Sequence, residues 1–365
     1  MVLLIGALQG AVVAALLAAR RTNRQANAVL AVLLIVFVLR LVPYIIGFAG
    51  FYEVYPWLSF APFALTLAYG PLIYLYVARI TADRMPARWW VHLIPAAIQL
   101  AYYLVIFVQP LPFKNAFNDA IHVPRIDPIE SLLTFVSLGG YLAAAMMRYR
   151  TYKNWLNDAT SDPGEHSLAW IRTFLIIFSL ATALNIIFEI VSRFVRPLNY
   201  YNYFWLYLWF AVLIYYLGLE GWRNANRTYP QPVLQPAIAP SPKAAFDWSA
   251  AAKEWLSVLR HEGYWRDSEL TLATLAATMQ LSPAHISRLV NEGLGQNFNE
   301  AINRMRVEAV QRWLEDPADT RTILELAHEA GFSSKASFNR SFKAYVGMTP
   351  TEFRTAAVAR ARTGG

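Results

Sequence analysis

Two stretches near the C-terminus carry one pattern: LATLAATMQLSPAHISRLVNEGLGQNF (residues 272–298) and ILELAHEAGFSSKASFNRSFKAYVGMTP (residues 323–350). Leu275-Ala276 answers Leu326-Ala327, and Leu281-Ser282 answers Phe332-Ser333, both 51 residues apart. One extra residue in the second copy then sets Arg340 opposite Arg288 and Gly347 opposite Gly295, 52 apart. An internal repeat of this kind decides architecture before any single residue does. Each copy reads as a helix, a tight turn and a second helix, so two helix-turn-helix units are expected.

In the first copy Leu272, Leu275, Ala276 and Met279 recur at the spacing of one helical face. Ser282 is suited to an N-cap and Pro283 to the first helical position. In the helix they start, Ile286, Leu289 and Val290 face inward, while Ala284, Ser287, Arg288 and Asn291 share the opposite face. A small, polar and basic face after a capped turn suits a helix laid in the DNA major groove. In the second copy Thr322 and Glu325 form a capping box, and Gly331 supplies a turn residue that tolerates positive φ. Ser333 or Ser334 caps the next helix, with Phe338 and Phe342 inside and Lys335, Ala336, Asn339, Arg340 and Lys343 outside. Thr349, Pro350 and Glu352 open a closing helix. Alone, Arg288 or Arg340 would read as a solvated charge. Within a duplicated, capped unit each reads as a DNA contact.

From about Asp247 to Ala357 the chain resembles the AraC-type DNA-binding domain, on LSPAHISRLVNE, GQNFNEAINRMRVEAVQRWL, AGFSSKASFNRSFK and GMTPTEFR. The resemblance implies two helix-turn-helix units joined by a long helix, here residues 298–315, with the two recognition helices entering successive major grooves. It implies DNA contacts from Ala284, Ser287 and Arg288 in one unit, and from Lys335, Ala336, Asn339 and Arg340 in the other. Double-stranded DNA is the implied partner, with a second copy of the chain and RNA polymerase as further expected partners. Two departures from the family stand out. Val290-Asn291 stands where Phe-Lys is frequent, and Gln280 replaces the usual small turn residue.

The rest of the chain has a different character. Hydrophobic residues make up 56% of the whole and charged residues 15%, with a positive mean hydropathy, which is too apolar for a soluble two-domain protein. There is no cysteine, which excludes disulfide, zinc-thiolate and thiol chemistry. Seven apolar segments, at 2–19, 28–48, 57–78, 90–108, 131–147, 171–192 and 202–219, approach the length that spans a bilayer. The first ends at Arg20-Arg21 and has no basic residues before it, so an uncleaved helix is expected. Twelve Lys and Arg fall in the connections on one side and four on the other. The positive-inside rule then places the N-terminus outside and the C-terminal domain in the cytoplasm of a multi-pass inner-membrane protein.

The expected architecture is all-α: a seven-helix transmembrane bundle over 1–222, a Pro-rich linker over 223–245, and the DNA-binding domain over 246–365. The formal charge of +8 belongs to the membrane part. From Phe246 onward fourteen Lys and Arg meet fourteen Asp and Glu, against eighteen and ten before it. A reader with no net charge attracts phosphate weakly, which favours dimeric binding or help from another protein.

Within the apolar segments Arg40, Asn185 and Glu189 stand out, since ionisable groups at depth are expensive and often mark a site. Arg40 and Glu189 could pair, or Glu189 could join Arg193 near the headgroups, and the three form a candidate sensor site. The 109–130 connection reads equally as a lid or as an ordinary loop. Catalysis has no foothold. The six histidines are scattered without HExxH or other ligand spacing, there is no G-x-S-x-G, and neither metal nor cofactor is expected. The seventh segment lacks a lysine for a retinal Schiff base. A transporter or enzyme with a C-terminal regulatory or protein-interaction domain is the alternative, although no repeated halves are evident. The leading expectation is a membrane-embedded one-component transcription regulator under control of a small-molecule or membrane signal.

Overall fold

Long apolar runs satisfy their backbone hydrogen bonds internally by coiling into helices, and they do so here. The computed structural model describes residues 1–82, 84–161, 168–198, 200–232, 246–316 and 318–363. The principal helices are α1 (Val2–Ala18), α2 (Arg24–Phe48), α3 (Tyr69–Ile80), α4 (Ile94–Phe107), α5 (Asp127–Ala159), α6 (Ala169–Ile190) and α7 (Phe204–Asn224). They are followed by α8 (Trp248–Glu262), α9 (Leu272–Thr278), α10 (Pro283–Arg288), α11 (Phe298–Glu315), α12 (Ile323–Glu329), α13 (Lys335–Val346) and α14 (Pro350–Thr363). Among the described residues there is no strand, and one isolated antiparallel bridge joins Thr160 to Thr271. The chain divides into two units, Met1–Thr151 with Leu168–Pro232 and Tyr152–Ser167 with Val233–Gly365. α5 therefore contributes to both.

In the first unit α2 packs against α1, α3 and α7, and α1 against α7. Small residues set the closeness of these contacts. A Cβ on Gly10 would lie 2.7 Å from Ile214 and 2.8 Å from Val38, and one on Gly221 would lie 2.5 Å from Leu30. Asn27, buried at the start of α2, donates to the Thr22 carbonyl (2.8 Å) and to the Ala225 carbonyl beyond the end of α7 (3.1 Å). The outside of the unit is apolar: Ile5, Leu8, Val12, Ile98, Val105, Leu132, Val136, Leu180, Trp205 and Trp209 are all exposed.

Among the described residues, five helical segments are long and apolar enough to cross a membrane: Arg24–Phe48, Trp89–Phe107, Leu111–Ala159, Ala169–Val195 and Tyr201–Asn224. α1, with 17 residues, is shorter. The third expected span, 57–78, is not one helix. It begins as a 3-10 turn at Pro56–Leu58, passes through Phe60 at φ +62°, makes a second 3-10 turn at Thr66–Ala68 and becomes α-helical only at Tyr69. Pro62 explains the break, since it lacks a donor and biases Ala61 away from helix. Pro71 falls in the first turn of α3, where its missing N–H costs nothing. The 109–130 connection is helical instead of a loop. A helix at Leu111–Phe117 and a π-helical stretch at Asn118–Ile126 run into α5. Lys114 anchors that segment, donating to the Trp57 and Ser59 carbonyls at 2.8 and 3.1 Å.

The second unit is built around α11, whose Phe298, Ile302, Met305 and Val310 are buried. α12, α13 and α14 pack on it. Its helix starts are capped by side chains: Asp247 for α8, Thr271 for α9, Ser282 for α10, Asn297 for α11, Thr322 for α12 and Ser334 for α13. Thr349 and Glu352 make the reciprocal pair at the start of α14. Of the two serines expected to cap α13, Ser334 does so. α10 is α-helical for six residues and then widens into a π turn at Leu289–Gly293, on which α8 packs. Gly293 is required there, because a Cβ would lie 2.4 Å from the Trp248 carbonyl oxygen. Of the expected linker, residues up to Asn224 belong to α7, and 233–245 lie outside the described residues.

Candidate functional site

The outer face of α13 is open. Lys335, Ala336, Asn339, Arg340 and Lys343 lie along it, with Asn339 and Arg340 exposed, while Phe338 and Phe342 hold the helix to the core at 1% and 0% exposure. Phe332, Phe338, Phe342 and Phe353 form a chain of ring contacts at 5.2 to 5.6 Å beneath that face. Among the described residues, neither Asn339 nor Arg340 enters an ion pair or a side-chain hydrogen bond. Before α13, Gly331 turns at φ +89° against the Arg266 carbonyl, leaving no room for a Cβ.

The outer face of α10 is differently arranged. Ala284 and Ser287 are half-buried, and Arg288 and Asn291 are more open. The Arg288 guanidinium donates from Nε to Glu292 Oε1 (2.8 Å) and from Nη2 to Oε2 (3.1 Å), and stacks over the Trp248 ring at 4.2 Å. That pairing holds the Glu292 carboxyl below its usual range. Asn291 Nδ2 donates to Ser287 Oγ at 3.1 Å. The four expected residues are thus brought together, but the polar ones are engaged with one another and with their neighbours.

The core of the second unit holds a feature that sequence reading missed. Arg306 of α11 is wholly buried. Its Nε donates to the Trp265 carbonyl (2.8 Å), and its Nη2 donates to the Asp267 carbonyl (2.6 Å) and to Ser161 Oγ (3.0 Å). Ser161 is itself enclosed. Its N–H donates to the Leu270 carbonyl (3.1 Å), and its own carbonyl accepts from Asn299 Nδ2 (2.7 Å) and Asn303 Nδ2 (3.0 Å). The last turns of α5, with Thr160 and Ser161, are therefore structural parts of the second unit, where Tyr152 and Leu156 are buried. The signal for Arg306 was in the pattern, since it follows Ile302 by four residues on the inward stripe of α11.

In the first unit Arg40, Asn185 and Glu189 all line one cavity of about 300 Å³. Of the two pairings open to Glu189, the one with Arg193 is made and the one with Arg40 is not. Glu189 accepts from Arg193 Nη2 at 3.0 Å, one turn along the same helical run, and Asp127 lies 3.4 Å from the same nitrogen. Arg40 instead lies over the Tyr207 ring at 5.4 Å. Sequence reading missed Glu130, which accepts from Gln99 Nε2 at 2.6 Å and from Tyr103 at 3.0 and 3.1 Å. Nothing local relates Gln99 and Tyr103 to Glu130, which lies on another helix.

A helix-turn-helix domain family matches residues 275–356, from within α9 into α14. Over 86 residues the chain is 35% identical to an uncharacterized HTH-type transcriptional regulator of Staphylococcus aureus strain COL, covering 24% of this chain and 11% of that protein. Over 85 residues it is 32% identical to an HTH-type transcriptional regulator of Mycobacterium tuberculosis, covering 23% of this chain and 32% of that one. The chain thus spans a small part of either relative's length. A solved structure of a protein of unknown function from Listeria innocua aligns with 28% of this chain and 94% of its own, at 23% identity and a TM-score of 0.26. Residues 275–356 thus match a helix-turn-helix domain, and the relatives that share this stretch are HTH-type transcriptional regulators.

Proposed function

We propose that this protein is a membrane-embedded one-component transcription regulator, reading specific double-stranded DNA through α10 and α13 in response to a signal received by the first unit. The observation that carries the reading is the open basic face of α13, seated on a phenylalanine core within a matched helix-turn-helix domain. Arg340 and Asn339 are the side-chain types that read guanine and adenine edges in the major groove. Residues of α10 supply a second contact face one repeat earlier. Membrane insertion is supported by the exposed apolar belt and by five helices of spanning length and composition. In that setting the N-terminus is outside and the reader is cytoplasmic.

A route for the signal is built into α5. Its early turns supply Asp127, Glu130, Ser131 and Thr134 to the cavity, and its last turns belong to the DNA-reading unit. A ligand shifts the reader only if it binds two arrangements of the protein with different affinity. The balanced charge of the reader makes a homodimer the effective DNA-binding form, with RNA polymerase as a further partner. A genome-wide DNA pull-down with the intact, membrane-resident protein, beside an Arg288→Ala/Arg340→Ala double variant, tests the reading. A small set of enriched sites that vanishes in the variant is the expected result. Enrichment that persists unchanged in the variant would rule out these faces as the readers.

A further inference from the structure

We propose that the cavity of the first unit binds a small zwitterion with a bulky apolar body, of which the aromatic α-amino acids are the simplest members. This rests on the reading of that unit as a membrane-embedded sensor. At about 300 Å³ the cavity is at the small end of ligand sites. What singles out the ligand class is where the charged groups stand.

Three carboxylates line the cavity, and each has donors. Glu130 is held by the uncharged donors Gln99 and Tyr103, while Asp127 and Glu189 share Arg193. Arg40 lines the same cavity, and among the described residues no carboxylate lies within ion-pair distance of it. A guanidinium cannot shed its proton, so in a low-dielectric setting it needs a counterion. A ligand carboxylate meets that need with two parallel hydrogen bonds. The acidic rim has the opposite need. Two carboxylates around one arginine leave a net negative charge, which a ligand ammonium would balance. Between them the wall is aromatic, with Tyr44 and Tyr207 stacked at 3.4 Å and Phe178 and Phe210 beside them. The Asn185 amide adds a donor and an acceptor. An apolar body carrying both charges satisfies all three parts of the wall at once.

The test uses the intact chain in lipid nanodiscs and three probes that share one ring: L-phenylalanine, 3-phenylpropionate and phenethylamine. Thermal unfolding is read with each at matched concentration. Phenylalanine is expected to raise the midpoint most, phenylpropionate less, and phenethylamine least. Arg40→Gln is expected to lose tenfold or more in affinity for both carboxylates, and Arg40→Lys to keep a weakened response, which also controls for folding. Asp127→Asn with Glu189→Gln is expected to erase the advantage of phenylalanine over phenylpropionate. No shift with phenylalanine, or an equal shift in Arg40→Gln, would overturn the proposal. Equal responses to phenylalanine and phenylpropionate in the wild type would replace the zwitterion by a plain carboxylate. No DNA enters the assay, so its failure leaves the DNA-reading proposal untouched.

Discussion

The two helix pairs of the second unit share their buried positions and differ in their turns and outer faces. Leu275 and Ala276 are as completely enclosed as Leu326 and Ala327. At the turn, however, Gln280 sits at φ +54° where Gly331, 51 residues on, sits at φ +89°. On the outside, Arg288 is clamped by Glu292 and Trp248, whereas Arg340 meets no carboxylate among the described residues. Packing is common to the two copies, and their outer faces differ. Within the proposed function, α13 supplies most of the base discrimination, and α10 chiefly positions the domain on the backbone.

The turns offer the largest effects. Gly331→Ala introduces a Cβ 2.5 Å from the Arg266 carbonyl oxygen, well inside van der Waals contact, and does so at a positive φ. We expect a loss of about 3 kcal/mol, read as faster hydrogen exchange of the α11 amides in the intact protein. Gln280→Gly relieves a left-handed non-glycine residue and is expected to stabilise by up to about 1 kcal/mol. Effects of the same sign at the two turns would break the comparison.

Next come the outer faces. Arg340→Ala should cost about 1–3 kcal/mol of specific DNA binding and relax preference at one base position. Arg288→Ala should cost less, because that guanidinium must first leave Glu292 and Trp248. Glu292→Gln, which releases Arg288, is expected to raise affinity and to steepen the log–log salt dependence by about 0.9 for each further phosphate neutralised. Binding titrations across a salt series measure both.

The strap formed by Thr160 and Ser161 ranks below these. Asn299→Ala and Asn303→Ala each remove a donor to the Ser161 carbonyl and should cost about 1 kcal/mol apiece, seen as lost protection of the Ser161 amide. The smallest effect is acid lability. Hydrogen bonds from Thr322 and Thr349 lower the Glu325 and Glu352 carboxyls, and Arg321 holds Asp319 down at about 2. Depressed folded values mean that this stability is fully present above the ordinary carboxylate range and is lost as pH falls through the depressed values. The caps of α9 and α10 are Thr271 and Ser282, which do not titrate. Mild acid should therefore loosen the starts of α12 and α14 before those of α9 and α10, as seen by hydrogen exchange against pH.

Much of the second unit was legible because its cues are local. Ser282, the Thr322–Glu325 pair and the Thr349–Glu352 pair act within four residues of themselves, and the inward stripes follow from helical period alone. The strap was not legible, since Ser161 meets Arg306 across 145 residues. The same holds in the first unit. Apolar length located the helices, but three-dimensional packing brought Gln99 and Tyr103 to Glu130, and Pro62 ended what length alone read as one span.

Footprinting of the intact protein on an operator recovered from the genomic pull-down tests the central claim most directly. Two protected major-groove faces about one helical turn apart per copy are expected, with sequence preference at one of them abolished by Arg340→Ala and largely kept in Arg288→Ala. A single protected face, or equal loss of preference in both variants, would contradict the account.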